Sequence, residues 1–231
     1  MASTKLVSEA VTRAQNDLKG VTLSTTDSLD FANEIYQLLG TATFFDWRQA
    51  SGTTFGTTAN TQSYANVPTD FAALKAAWVQ DDSSSTNPKF PLSIYQTLPQ
   101  STRTGQIYAI SVENGSFRLL NVPNVTRSGS GQWAILFDYW KRPKRLVVTS
   151  DTFEFDDVWF ETFSKGMTAR VASFVDDARA GVWGGRNPTT ARFIGTGMWG
   201  EFAASLNNMV DQETLSSGPS VYAPTESLLK G

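Results

Sequence analysis

The periodicity of the apolar residues changes twice along the 231-residue chain, from helical to strand-like after Trp47 and back to helical at Asp156. This alternation limits the fold more than any single motif. In Ser3 to Lys19, residues Leu6, Val7, Ala10, Val11, Ala14 and Leu18 recur at three- and four-residue intervals, which predicts a helix with one apolar face, capped at Ser3 or Thr4 and stopped at Gly20. A second helix is predicted from Asp27 or Ser28 to Leu39, with Gly40 as its stop, and the short loop between the two favours antiparallel packing.

Beyond Trp47, Gly, Thr, Asn and Pro punctuate short β-branched and aromatic runs. Strands are predicted at Gln62 to Val67, Ala72 to Gln80, Leu92 to Thr97, Gln106 to Glu113, Ser116 to Val122 and Gln132 to Lys141, with a polar loop from Asp81 to Pro88. Asn114-Gly115 is a hairpin signal, because both central positions of a type I′ turn need positive φ. From Asp156 to Ala178, the residues Val158, Trp159, Phe163, Met167, Val171, Phe174 and Val175 form a wide apolar stripe, read as the longest helix, with Gly166 as its weak point. Gly181 to Pro188 breaks it, and another helix is expected from about Pro188 toward Val210.

The expected fold class is therefore α+β, an antiparallel helical bundle built from both chain ends with an inserted antiparallel β domain and an extended C-terminal arm. The expected boundaries are 1–48 with 152–211 for the bundle, 49–151 for the β domain and 212–231 for the arm, which ends in the apolar handle Leu228-Leu229.

Composition narrows the chemistry. Cysteine and histidine are both absent, which removes disulfides, thiolate nucleophiles, Cys/His zinc sites and imidazole bases and leaves carboxylates, lysine and tyrosine as catalytic groups. The net charge is −3 and only 18% of residues are charged, whereas there are 23 serines and 27 threonines. Such a polar, lightly charged surface is cheaper to desolvate than a Lys/Glu-rich one and suits extensive protein contact. No stretch approaches a membrane span, and Met1 to Leu6 lead into mixed polar sequence without the apolar core of a signal peptide, so synthesis in a cytoplasm and no membrane partner are expected.

Four motifs carry candidate chemistry. Gly195-Thr196-Gly197-Met198-Trp199-Gly200 matches the dinucleotide fingerprint, but a proline and a helical pattern precede it instead of a strand, so a flexible loop or a packed helix turn is the favoured reading. Asp151, Glu154, Asp156, Asp157 and Glu161 could serve as an acid/base pair or hold a divalent cation; the simpler reading puts Asp156 and Asp157 at the positive end of a helix dipole. Asp176 and Asp177 run against that dipole and need Arg170, Arg179 or a neighbouring subunit. Lys141-Arg142-Pro143-Lys144-Arg145 resembles a nucleic-acid patch, with a strand-end turn or an inter-subunit salt bridge as equal alternatives. Seven tryptophans are expected mostly in cores or interfaces, with a carbohydrate platform as the minor reading.

The order of Tyr64, Val67-Pro68-Thr69-Asp70-Phe71, Pro91-Leu92, Gly105, Tyr108-Ala109-Ile110, Arg118-Leu119, Pro123, Phe137-Asp138-Tyr139-Trp140-Lys141-Arg142-Pro143 and the helix starting at Asp156 resembles the head-to-tail adaptor family of tailed bacteriophages, also called head completion, tail tubular or connector proteins. The resemblance covers roughly Asp27 to Ala180. It implies a structural virion protein at the neck and not an enzyme. It further implies a ring, usually of twelve subunits, docked beneath the portal protein, carrying a downstream tail or nozzle protein and letting double-stranded DNA pass without sequence specificity. No cofactor, metal or catalytic residue is implied. The interface residues expected on this reading are Tyr222, Leu228 and Leu229 in the arm and Arg142, Lys144 and Arg145 in the cationic run. The alternatives are a β-rich receptor- or glycan-binding virion protein with exposed tryptophans, and a carboxylate enzyme on the Asp151 to Glu161 cluster.

Overall fold

The computed structural model describes residues 3–43, 45–81, 86–123 and 133–216. The chain divides into two compact units, Arg48–Arg142 and the pair of segments Met1–Trp47 with Pro143–Gly231. Each has its own hydrophobic core.

The first unit is built of strands. Strands β1 (Gln49–Gly56), β3 (Phe71–Asp81), β4 (Lys89–Pro91) and β10 (Trp133–Lys141) form an antiparallel sheet in the order β1-β10-β3-β4. A second sheet runs β2-β8-β7-β5, from β2 (Ser63–Tyr64), β8 (Ser116–Leu119), β7 (Ala109–Glu113) and β5 (Ser93–Tyr95). Strands β6 (Thr104–Gly105) and β9 (Val122–Pro123) add a small pair. Alternation along β10 sends Trp133, Ile135, Phe137 and Tyr139 inward. The ring of Phe137 meets Phe117 of the other sheet at 4.7 Å between centroids, and Phe117 in turn stacks on Phe55 at 5.1 Å. Complete burial of such a ring contributes about 1.5–3 kcal/mol. Asn114 (φ 51°) and Gly115 (φ 74°) form the expected hairpin turn between β7 and β8.

The sheets are not purely antiparallel. Strand β5 pairs with β7, and β6 with β9, in parallel. The predicted strand at Gln62 to Val67 contracts to two residues, and β1, rich in Gly and Thr, stands where no strand was expected. A bulge between Ala50 and Thr53 lets the Gly52 amide donate to Asp138 Oδ1 at 3.0 Å. Gln49 of β1 is register partner to Trp140 of β10, so the chain enters and leaves this unit on adjacent strands.

The second unit is mainly helical, with α1 (Val7–Asp17), α2 (Thr25–Ala42), α3 (Phe160–Phe174) and α4 (Gly197–Ser216). Its core gathers Ile35, Tyr36 and Leu39 of α2, Phe163 and Met167 of α3, and Phe202, Leu206 and Met209 of α4. Leu146, Phe153 and Phe155 enter the same core, so the stretch from Pro143, read from sequence as the end of the β domain, packs in the helical unit.

Several helix ends differ from expectation. Ser3 and Thr4 do not cap α1; Leu6 does, with its amide donating to Glu9 Oε1 at 3.2 Å, because the first residues pair with Phe153 and Thr152 in a short extended contact. Ser24 caps α2 by accepting the Asp27 amide at 3.1 Å, and Gly40 lies inside that helix instead of ending it. Asp156 starts a 3-10 turn, Asp157–Trp159, that leads into α3, and Val158, Phe174 and Val175 of the expected core stripe are exposed. The longest helix among the described residues is α4, whose last five residues, Gln212 to Ser216, occupy the start of the expected extended arm. Before α4, a hairpin of β11 (Trp183–Arg186) and β12 (Phe193–Gly195) replaces the helix expected from Pro188. The remainder of the arm, with Tyr222, Leu228 and Leu229, lies outside the described residues.

Candidate functional site

Every carboxylate of the acidic stretch is engaged by neighbouring structure. Asp151 accepts the amides of Val147 (2.6 Å) and Val148 (3.1 Å), which hold its carboxyl below the usual range. Glu154 accepts the Tyr36 hydroxyl at 3.1 Å and the Lys144 amide at 3.2 Å. Asp156 accepts the Val158 amide at 3.3 Å, and Glu161 pairs with Arg13 at 3.1 Å. The hydroxyl of Ser3, and the hydroxyl (2.8 Å) and amide (3.0 Å) of Thr4, all donate to Asp157, whose pKa is lowered in consequence. Asp157 therefore ties the N-terminal segment to the entry of α3. No group of three or more carboxylates able to hold a metal ion occurs among the described residues.

The glycine motif fails as a phosphate cradle for a geometric reason. Its context is strand, glycine turn and helix after all, but the first amides of α4, the groups a pyrophosphate would need, are already bonded. Met198 donates to the Arg179 carbonyl at 3.0 Å, Trp199 to Ala180 at 3.1 Å and Gly200 to Thr196 at 3.0 Å. Gly197 has φ +57°, and a β-carbon there would lie 2.4 Å from the Arg179 carbonyl oxygen. The glycines let three pieces of backbone close on one another, leaving no space for a ligand.

The cationic run is held by its backbone, and three of its four cationic side chains are exposed. Lys141 ends β10 with its carbonyl accepting Arg48 Nε at 2.7 Å, and the Arg142 amide donates to Asp70 at 2.6 Å. The side chains of Arg142, Lys144 and Arg145 are exposed and form no ion pair among the described residues. At the far end of α3, Asp177 pairs with Arg179 at 2.6 Å, which lowers its pKa to about 2, and Arg170 pairs with Glu34 at 2.6 Å.

The SU10 adaptor protein family model matches residues 5–219, nearly the whole chain. The chain belongs to the SU10 adaptor protein family. No curated protein matches it. Membership makes it a structural component of the phage particle, one that contacts other head or tail proteins. No helix among the described residues is long and apolar enough to cross a membrane.

For an adaptor, surface matters more than cavity. Of the seven tryptophans, Trp133, Trp140 and Trp199 are buried and Trp47, Trp78, Trp159 and Trp183 half-buried, so the exposed tryptophans that a glycan platform needs are not there. Among the described residues, the large exposed apolar side chains of this adaptor are instead Val147 (69%), Val148, Val158, Phe174 (51%), Val175, Val182 and Ile194 in the helical unit and Phe90, Tyr95 and Tyr108 in the β unit. Sequence periodicity missed Phe174 and Val175 because they continue the apolar stripe of α3 to its C-terminal end, where they are exposed all the same. Val147 and Val148 carried a weak signal: two valines one residue beyond a charged run.

Proposed function

We propose that copies of this chain, twelve on the family pattern, form a ring beneath the portal that joins head to tail, continues the DNA channel and seats a downstream tail protein. Family membership over residues 5–219 carries the reading. Three further observations support it. The acidic stretch is consumed in structural bonds, the nucleotide-like motif is closed by its own backbone, and the valines and aromatics left outside are of the kind that protein interfaces bury. A ring of identical subunits uses heterologous faces, and closure turns modest contacts into a stable assembly. A net charge of −3 suits a lumen through which DNA slides without being held. Arg142, Lys144 and Arg145 are proposed as interface residues.

Native mass of the chain, alone and with its portal protein, tests this. A closed oligomer, formed freely or on the portal, is the expected outcome. A chain that stays monomeric in both samples, or a trimer, overturns it in favour of another virion role.

A further inference from the structure

Two surface patches of the helical unit lie on opposite sides of α2. On one side Arg145 and Val147 stand with Leu29 and Asn33 around a shallow cavity of about 320 Å³ whose rim also holds Asp30. Leu146 is buried, its amide donates to Asn33 Oδ1 at 2.8 Å, and Asp151 holds the next two amides, so Lys144, Arg145, Val147 and Val148 are displayed from a fixed loop. On the other side Phe174 packs on Phe31 at 5.2 Å, with Arg170 over the Phe31 ring and paired with Glu34. Beyond Phe174 the helix ends on Asp176 at φ 53°, and the Asp177 amide returns to the Ala172 carbonyl at 2.9 Å, which fixes the end of α3.

At 3.6 residues per turn, Leu29 and Asn33 point roughly 140° away from Phe31 and Glu34 around α2. The two patches therefore cannot meet within one chain. They are complementary: each offers exposed apolar side chains, one with Lys144 and Arg145 free of ion pairs among the described residues, the other with Asp176 exposed and likewise unpaired. Lys144 exerts only a distant pull on Asp151. The backbone of both is pinned, so little ordering cost falls on association.

We infer that Lys144, Arg145, Val147 and Val148 of one copy pack on Phe174, Val175 and Asp176 of the next, as the head-to-tail contact that repeats around the assembly. The inference rests on the ring reading and names the contact that builds it. Opposite faces of one helix give a heterologous interface, which propagates until its rotation closes.

Charge exchange in the full-length chain tests it, read as native mass with and without portal protein. Lys144→Glu with Arg145→Glu reverses one face, and Asp176→Asn removes the charge of the other while keeping a residue that tolerates left-handed backbone. Each is expected to weaken self-association at least tenfold, with an unchanged melting profile of the unassembled chain. Adding Asp176→Lys to the doubly reversed chain is expected to restore assembly. Variants that assemble like the parent, a triple variant that melts like the parent and does not recover, or a loss confined to portal binding with the self-association intact would overturn the inference while the ring stands. If the parent chain never self-associates, with portal or without, the ring reading falls and this contact with it.

Discussion

Gly40 of α2 lies so close to Pro143 that a β-carbon on it would sit 2.1 Å from the proline Cγ. Alanine would gain about 1 kcal/mol of helix propensity at this site but would force the proline, and the chain that carries it, outward. Gly40→Ala is expected to cost about 1–3 kcal/mol net, seen as a fall of several degrees in melting temperature. An unchanged or raised melting point would show that residues 143–145 yield freely.

Asp157 predicts an acid-sensitive anchor for the N-terminal segment. Its pKa is lowered by the Ser3 hydroxyl and then by Thr4, so its contribution is complete above the ordinary carboxylate value of 3.8 and is lost as pH falls through the lowered one. Asp157→Asn should flatten the acid limb of stability against pH and speed amide exchange at residues 3–6. An acid limb identical to the parent's would refute the assignment.

In the β unit two groups work at opposite ends of the pH scale. Ser111, the Leu98 amide and Arg118 lower Glu113 from 4.5 to about 2, so its contribution is full above 4.5 and fades as pH falls toward about 2. Burial, and then Asp70, raise Tyr139 from 10.0 to about 12; its contribution is full below 10.0 and is lost as pH rises toward about 12. Phenolate absorbance is expected to show a late-titrating tyrosine that disappears in Tyr139→Phe, with a shallower alkaline limb of stability. Glu113→Gln should alter only the acid limb.

Separate cores predict separable damage. Phe137→Ala and Phe163→Ala each remove a fully buried ring and should each cost about 3–5 kcal/mol. Hydrogen exchange should locate the loss within 48–142 for the first and outside it for the second. Uniform loss of protection through the whole chain in both variants would mean that the two cores unfold as one.

What could be read from sequence was whatever had a strong period or a strict backbone requirement. Strand β10 opens on the strand-sized apolar run Trp133 to Phe137, α2 keeps its stripe from Leu29 to Leu39, and Asn114-Gly115 permits few turns. What could not be read depended on partners distant in sequence. Strand β1 has little apolar character and exists because β10 offers it an edge. Hairpin β11–β12 is glycine-rich and is held by α4, where Asn207 bonds Phe193 and the rings of Trp199 and Phe202 meet Trp183. Ser3 and Thr4 look like caps, yet their hydroxyls serve a carboxylate more than 150 positions away. Asp156 starts a helical turn, as its place in the sequence suggested, whereas Asp157, read the same way, holds Ser3 and Thr4. Of the two patches proposed as the subunit contact, the charged members stood out in the sequence, Lys144 and Arg145 in the cationic run and Asp176 at a helix end, whereas the exposed valines and Phe174 did not, since an interface between copies leaves no period within one chain.

The register partnership of Gln49 with Trp140 brings the two joints of the β unit side by side. Two cuts at neighbouring points would release roughly the middle two-fifths of the polypeptide and leave the helices' own core residues untouched. A lineage of such proteins can then trade one β module for another by a double crossover while keeping the rest of its architecture.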